Sequence, residues 1–375
     1  MRCLLVLLLS LLSVSGCLTA ADEEVLERLN SLGESKGQIF PDREDYYGVF
    51  VLDEQNAWAV GNRGVILHIS DAGETFAQLN SGVERAIYDV DFADAQSGVA
   101  IGQDGLILKT DDGGQTWKQI PLALPLEDWQ AAQPHMFALS RGASPNHIWA
   151  VGPVGAIIHS DDGGETWQNQ SLGRDVTLNG VSFASDTEGW IAGEFGTILR
   201  TSDGGHTWQE QKNVLNLPRY TRPDLSEEDA IAQRVPRLYL EDLFLIDVAF
   251  RNPTEGYVSG ESGILLHTVD AGETWTRIPS GSFNTLLSVL PAASDQAADM
   301  ATGILGTLAR EENGNWRLLE DVRTHVLTWI RDASIARGGG FGLACGGKGT
   351  ILVTTDGGKE WKKTASERLA RLFQS

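Results

Sequence analysis

The chain has 375 residues, 42% of them hydrophobic, with 42 glycines, 11 tryptophans and a formal net charge of −22. That length admits two average domains or one large all-β domain, and the apolar share is ample for a buried core. So acidic a balance excludes the basic face that duplex or single-stranded nucleic acid requires, and no nucleic-acid partner is expected.

Residues 1–20 read as an export signal, with Arg2 at the charged end, an apolar run from Leu4 to Leu12, and then Ser13, Ser15 and Gly16. The stretch is too short to span a bilayer comfortably. Val14-Ser15-Gly16-Cys17 also resembles a bacterial lipobox, in which residues 1–16 are removed and Cys17 is acylated; cleavage after Leu18-Thr19-Ala20 is the alternative. On the lipobox reading Cys345 is the one remaining thiol, so the mature domain has no disulfide despite an oxidising compartment. The expected location is periplasm-facing. Leu18 after the cysteine favours the outer membrane, contact with the bilayer is through the lipid anchor only, and without acylation the protein is soluble in the periplasm or secreted. Residues 21–45 read as a helix and linker, with Val25, Leu26, Leu29 and Leu32 at helical spacing.

From residue 46 to 363 a pair of glycines three apart recurs seven times: Gly61/Gly64, Gly102/Gly105, Gly152/Gly155, Gly193/Gly196, Gly260/Gly263, Gly303/Gly306 and Gly346/Gly349. Each pair is preceded by two short strand patterns, as in Ile87 to Phe92 and Gly189 to Ala192, and followed by a third, as in Thr197 to Thr201. A turn then leads to an aromatic residue at Phe76, Trp117, Trp167, Trp208, Trp275, Trp316 or Trp361. Four short strands per repeat of roughly forty residues make one propeller blade, so the expected fold is an all-β, seven-bladed propeller.

The turn before the aromatic is an Asp box, Asp-Gly-Gly-x-Thr-Trp at Asp112, Asp162 and Asp203 and Asp-Ala-Gly-Glu-Thr-Trp at Asp270. Asp71 heads a variant ending in Phe76, Asp356 heads one in which Glu360 replaces threonine, and the sixth repeat, Glu311 to Trp316, has lost the pattern. The aspartate side chain can accept backbone N–H bonds, glycine takes the positive φ and the tryptophan plugs the blade edge, so these residues are read as structural.

Over about residues 46–363 the chain resembles the Asp-box propellers related to the photosystem II assembly and stability factor of plastids and cyanobacteria. The resemblance implies a lumenal or exported propeller that helps a membrane complex assemble and has no assigned catalysis. Cyanobacterial members use an arginine-rich patch for partner binding, which has no evident counterpart in this sequence.

With strands lettered A to D from the axis outward, the Gly-x-x-Gly turns join B to C and share a face with the D-to-A connections, while the Asp boxes lie on the other face. Two D-to-A connections are long, at about 121–134 and 212–241, and loops of such length in a compact domain are usually functional or disordered. The second holds Pro218 to Pro223, with Arg219, Tyr220 and Arg222, then Ser226-Glu227-Glu228-Asp229 able to cap a short helix. On the same face the turns carry apolar residues, Pro153-Val154, Phe195 and Ile304-Leu305, where solvated turns prefer polar ones. Phe195, Val154, Leu305, Arg219, Tyr220 and Arg222 are therefore the expected partner-binding residues. Residues 364–375 read as a terminal helix, with Leu369, Leu372 and Phe373 on one side.

His68, His159 and His267 hold the same strand-C position in blades 1, 3 and 5, which are not neighbours, so they cannot converge on one metal ion. Asp89 and Asp247 match one another on the inner strand and read as structural rather than as an acid/base pair. No catalytic residue, cofactor or metal is expected. The leading function is an envelope assembly or accessory factor docking on a membrane protein or transporter complex. The alternatives are a carbohydrate-binding propeller, which a ring of aromatics on the open face would support, and a sialidase-like glycoside hydrolase. Sialidases have six blades and an early Arg-Ile-Pro motif, whereas Arg277-Ile278-Pro279 here follows the fifth box.

Overall fold

Each repeat folds into an antiparallel sheet whose four strands follow one another in chain order, because neighbouring strands are joined by turns too short to cross over. The computed structural model describes residues 44–124, 133–211, 217–218, 237–238, 243–292 and 298–364. Seven such sheets occupy 46–79, 87–119, 138–169, 178–210, 245–277, 286–318 and 330–363. Their A strands touch in a closed circuit, the first against the seventh, so the architecture is a seven-bladed β-propeller. Besides the blades, the described residues include a helix at Glu320–His325 and a two-residue pairing of Leu217–Pro218 with Arg237–Leu238 inside the long insertion. The signal segment with Cys17, residues 21–43, most of 212–241 and residues 365–375 lie outside the described residues.

Every B strand is buried along its whole length, as in AWAVG at 57–61 and GWIAG at 189–193. A strand sandwiched between two neighbouring blades shows water neither face, so its sequence runs apolar and small instead of alternating. The core therefore consists of the seams between blades. At three seams an aromatic trio fills the space: Trp58 stacks on Phe92, Trp149 on Phe183 and Trp190 on Phe250, each at 3.5 Å between ring centroids. The box tryptophans Trp117, Trp208 and Trp275 meet the same phenylalanines edge-on at 5.9–6.0 Å. Glycine at 98 is what lets Phe92 lie flat, since a Cβ there would sit 2.5 Å from its ring.

The inner edges of the A strands face the axis with no fifth strand to pair them, and unpaired backbone N–H groups out of water are costly. Side chains from the preceding blade satisfy them. Asp89 accepts from Leu139 N–H at 2.9 Å, Asp247 from Val289 at 3.0 Å and Asp332 from Val49 at 3.0 Å. Ser140, Ser182 and Ser334 do the same for Phe183, Phe250 and Val51 at 2.9–3.0 Å. Among the described residues, blades 7 and 1 thus close through these side chains and the bond from Gly349 N–H to Glu44 O, with no exchanged strand.

The Asp boxes at Asp112, Asp162, Asp203, Asp270 and Asp356 share a geometry whose first residue is not apparent from the box motif itself. A Ser or Thr two before the aspartate, such as Thr110, donates its hydroxyl to the carboxylate at 2.8 Å and accepts the second glycine's N–H at 2.9 Å. Asp112 then accepts both the N–H and the hydroxyl of Thr116 at 2.8 and 2.7 Å. The glycines at 113 and 114 take φ of 73° and 91°. In blade 1 Ile69 replaces the hydroxyl residue, and the turn is different: Asp71 and Ala72 themselves adopt φ of 52° and 50°, and Asp71 keeps the bond from Thr75.

Candidate functional site: the face of the Gly-x-x-Gly turns

In five of the seven pairs the second glycine, at 105, 155, 196, 306 and 349, ties its turn to the adjoining D-to-A connection or the segment leading into the next blade. Gly155 N–H donates to Val176 O at 2.7 Å and Gly196 N–H to Leu243 O at 2.8 Å, which places turns and connections on one face. The geometry demands glycine: a Cβ at Gly306 would lie 2.0 Å from Val326 O. The residue just before it is left-handed in all seven blades, at Arg63, Asp104, Val154, Phe195, Ser262, Leu305 and Lys348, with φ from 52° to 60°. That conformation costs a non-glycine residue about 1–3 kcal/mol, and it is least tolerable for bulky or β-branched side chains. Phe195 and Leu305 accept it while remaining 69% and 59% exposed. Val154, expected to be exposed, is half-buried.

Three further apolar side chains lie on the connections of this face. Phe244 follows the Leu243 carbonyl that receives Gly196, Phe283 adjoins Gly263, and Leu327 adjoins Gly306. They are 36%, 53% and 84% exposed. Among the described residues, five of the six exposed large hydrophobics therefore share this face, and only Val269 sits beside an Asp box. The arc continues at the mouth of the channel through ring contacts. Trp329 lies parallel to Tyr47 at 5.8 Å, Tyr47 meets Tyr88 edge-on at 5.6 Å, and Tyr88 reaches Phe137 at 5.9 Å and His135 at 6.1 Å. Phe195, Val154 and Leu305 stand on blades 4, 3 and 6, and the residues that join them into an arc do not stand out in the sequence. Their shared signal is an aromatic or large apolar residue at, or just before, the start of an A strand. Arg219, Tyr220 and Arg222 lie outside the described residues.

Below the mouth sit Asp89, Asp247 and Asp332. Burial raises all three pKa values against the backbone N–H bonds they accept: Asp247 to about 6, and Asp89 well above the usual carboxylate range, with the charge of Asp332 adding to it. Each spends its two oxygens on backbone donors, its own next residue and the neighbouring blade, so the trio serves the ring. The three histidines stay apart. His68 packs on Trp58, His159 on Trp149 and His267 on Tyr257, at 5.4, 4.6 and 4.5 Å, each across one strand pair. Arg277 lies on the outermost strand of blade 5.

The sequence profile of the family described as "Photosynthesis system II assembly factor YCF48" matches residues 74–132, 130–223 and 232–318, well over half of the chain. The chain belongs to this family. A curated YCF48-family relative, the "Photosystem II assembly lipoprotein Ycf48" of Synechococcus sp. (strain CC9902), is 27% identical over 138 residues, 34% of this chain and 39% of the relative. Among solved structures, "YCF48 bound to D1 peptide" superposes with a TM-score of 0.61 at 17% identity, covering 84% of this chain and 93% of the other. A glycosidase propeller, the "GH74 xyloglucanase from Xanthomonas campestris", superposes with a TM-score of 0.63 at 14% identity, over 86% of this chain and 53% of its own. At these identities the superpositions speak for the propeller fold alone.

Proposed function

We propose that the protein is a non-enzymatic assembly or accessory factor that holds an apolar segment of a membrane protein or transporter complex against the face of its Gly-x-x-Gly turns. The observation carrying this reading is the exposure of Phe195 and Leu305 at left-handed backbone positions, where a polar or glycine residue would be both cheaper and more soluble. Phe244, Phe283 and Leu327 extend the same patch, as an interface anchor with surrounding apolar contacts requires. Membership of an assembly-factor family supports the role. So does the solved YCF48 relative, which is bound to a D1 peptide. The protein is exported and anchored through Cys17, a reading supported by the lipobox-like Val14 to Cys17 and by the word lipoprotein in the curated relative's name. Arg219, Tyr220 and Arg222 contribute from the insertion.

The test is capture of partners from detergent-solubilised membranes with the intact protein. Phe195→Ala and Phe244→Ala together should reduce capture severalfold with an unchanged melting temperature; undiminished capture would remove this face. A second reading, glycan binding, draws on the parallel pair Tyr47 and Trp329, an arrangement suited to sugar rings. Retention on a glycan panel, lost in Trp329→Ala, would favour it.

A further inference from the structure

On the Asp-box face a cation on strand C meets a box carboxylate of the next blade at two seams, and at a third the cation is kept while that carboxylate is replaced. Strand C of blade 4 carries Arg200, paired across the strands with Trp190. Its terminal nitrogens hold two carboxylates at 3.2 Å, Glu188 two residues before Trp190 and Glu273 in the Asp box of blade 5. Lys109 of blade 2 likewise lies 3.1 Å from Glu165 in the box of blade 3. In blade 6 the equivalent residue is Arg310, paired across the strands with Met300. The register then puts Ala298 in the place of Glu188, and Lys359 of the box headed by Asp356 in the place of Glu273. Both acceptors that Arg200 enjoys are missing, and one is replaced by a second cation.

The consequence is a polar cleft of about 730 Å³ between blades 6 and 7, lined by Ala298, Arg310, Lys359, Glu311, Glu312 and Asp356 among others. It opens where blade 6 has a short hairpin instead of an Asp box. Two of the lining carboxylates are committed to their own turns: Glu311 accepts Gly314 N–H, and Asp356 accepts Lys359 and Glu360 N–H at 2.9 and 3.0 Å. Glu312 approaches Arg310 no closer than 3.6 Å. Arg310 Nε, like that of Arg200, is buried without a hydrogen-bond partner, so the difference lies at the terminal nitrogens, and among the described residues the Lys359 ammonium is in no ion pair. A partly buried guanidinium fork that lines the same cleft as a second cation can receive a planar carboxylate in two-pronged fashion.

We propose that this seam is a binding site for a carboxylate, which takes at Arg310 the place that Glu188 and Glu273 take at Arg200, with Lys359 as the second cation. The site is on the opposite face from the apolar arc and does not depend on the function proposed there. The carboxylate can belong to a small metabolite or to an acidic side chain of a polypeptide, and the chemistry is the same. Thermal unfolding of the full chain should rise with sodium glutarate beyond the rise in sodium chloride of equal ionic strength, and should saturate. Arg310→Gln should lose the glutarate-specific part. Lys359→Glu, which rebuilds the Asp-Gly-Gly-Glu box found at Asp162 to Glu165, should fold, melt higher than wild type in chloride, and no longer respond to glutarate. An acetylated Gly-Glu-Thr amide binding at least tenfold more tightly than glutarate would identify a polypeptide as the source; the reverse order would identify a small acid. Equal effects of glutarate and chloride, or a full glutarate response in Lys359→Glu, would overturn the proposal.

Discussion

Asp332 of blade 7 accepts the backbone N–H of Val49 in blade 1 at 3.0 Å, joining residues 283 apart in the chain. With Ser334 on Val51 it closes the propeller where the first and last blades meet. Truncating Asp332 to Ala strands the buried Val49 N–H, and an unsatisfied buried donor costs about 1–3 kcal/mol. Urea denaturation of Asp332→Ala should show that loss, and amide exchange over residues 46–51 should quicken. Unaltered exchange there would mean that the seam is held by packing alone.

Asp247 gives stability an unusual pH dependence. Burial raises its pKa from 3.8 to about 6. For an acid whose folded pKa is raised, the contribution to stability is fully present below the unfolded value and is lost as pH rises through the folded one. Between about pH 4 and pH 6 the fold should therefore lose on the order of 3 kcal/mol from this group. Asp247→Asn should become progressively more stable relative to wild type as pH climbs from 4 to 7.5. Parallel pH profiles would show that Asp247 titrates normally.

Trp275 is fully buried and meets Phe250 edge-on beneath the stack formed by Trp190. Removing it leaves a cavity, so Trp275→Ala should cost about 3–5 kcal/mol. Its melting temperature should fall while the folded fraction still captures its partner, because the box lies on the far face. Selective loss of capture by a well-folded variant would relocate the binding site.

Phe195 separates stability from function. Phe195→Gly relieves a left-handed backbone at φ 55° and should raise stability by about 1 kcal/mol. The same change removes an interface anchor, which commonly costs 2 kcal/mol or more, about thirtyfold in affinity. A variant both less stable and equally competent would refute the assignment.

Cys17→Ser tests the anchor by fractionation. The acylation reading expects the protein to move from the membrane pellet to the soluble fraction; retention in the pellet would sink that reading, and a wild type already soluble would leave cleavage after Ala20 as the better account.

Blade count and strand order are legible in the sequence, because both follow from short-range rules. Alternation within a strand, the Gly-x-x-Gly turn and the Asp box act over a few residues and repeat in phase, so Gly61/Gly64 and Asp112 to Trp117 can be recognised without knowing their neighbours. Thr110, which completes its box, is equally local, yet its part shows only once its hydroxyl is seen between Asp112 and Gly114. The tertiary structure alone decided what meets across a seam. Trp58 finds Phe92, Asp332 finds Val49, and Arg310, Lys359 and Ala298 come to line one cleft, because adjacent blades face each other at positions far apart in sequence. The apolar arc is of the same kind. Phe195 could be named from its turn, but Phe244, Phe283, Leu327 and Trp329 look like ordinary strand-leading residues until ring closure brings the starts of the A strands to one face.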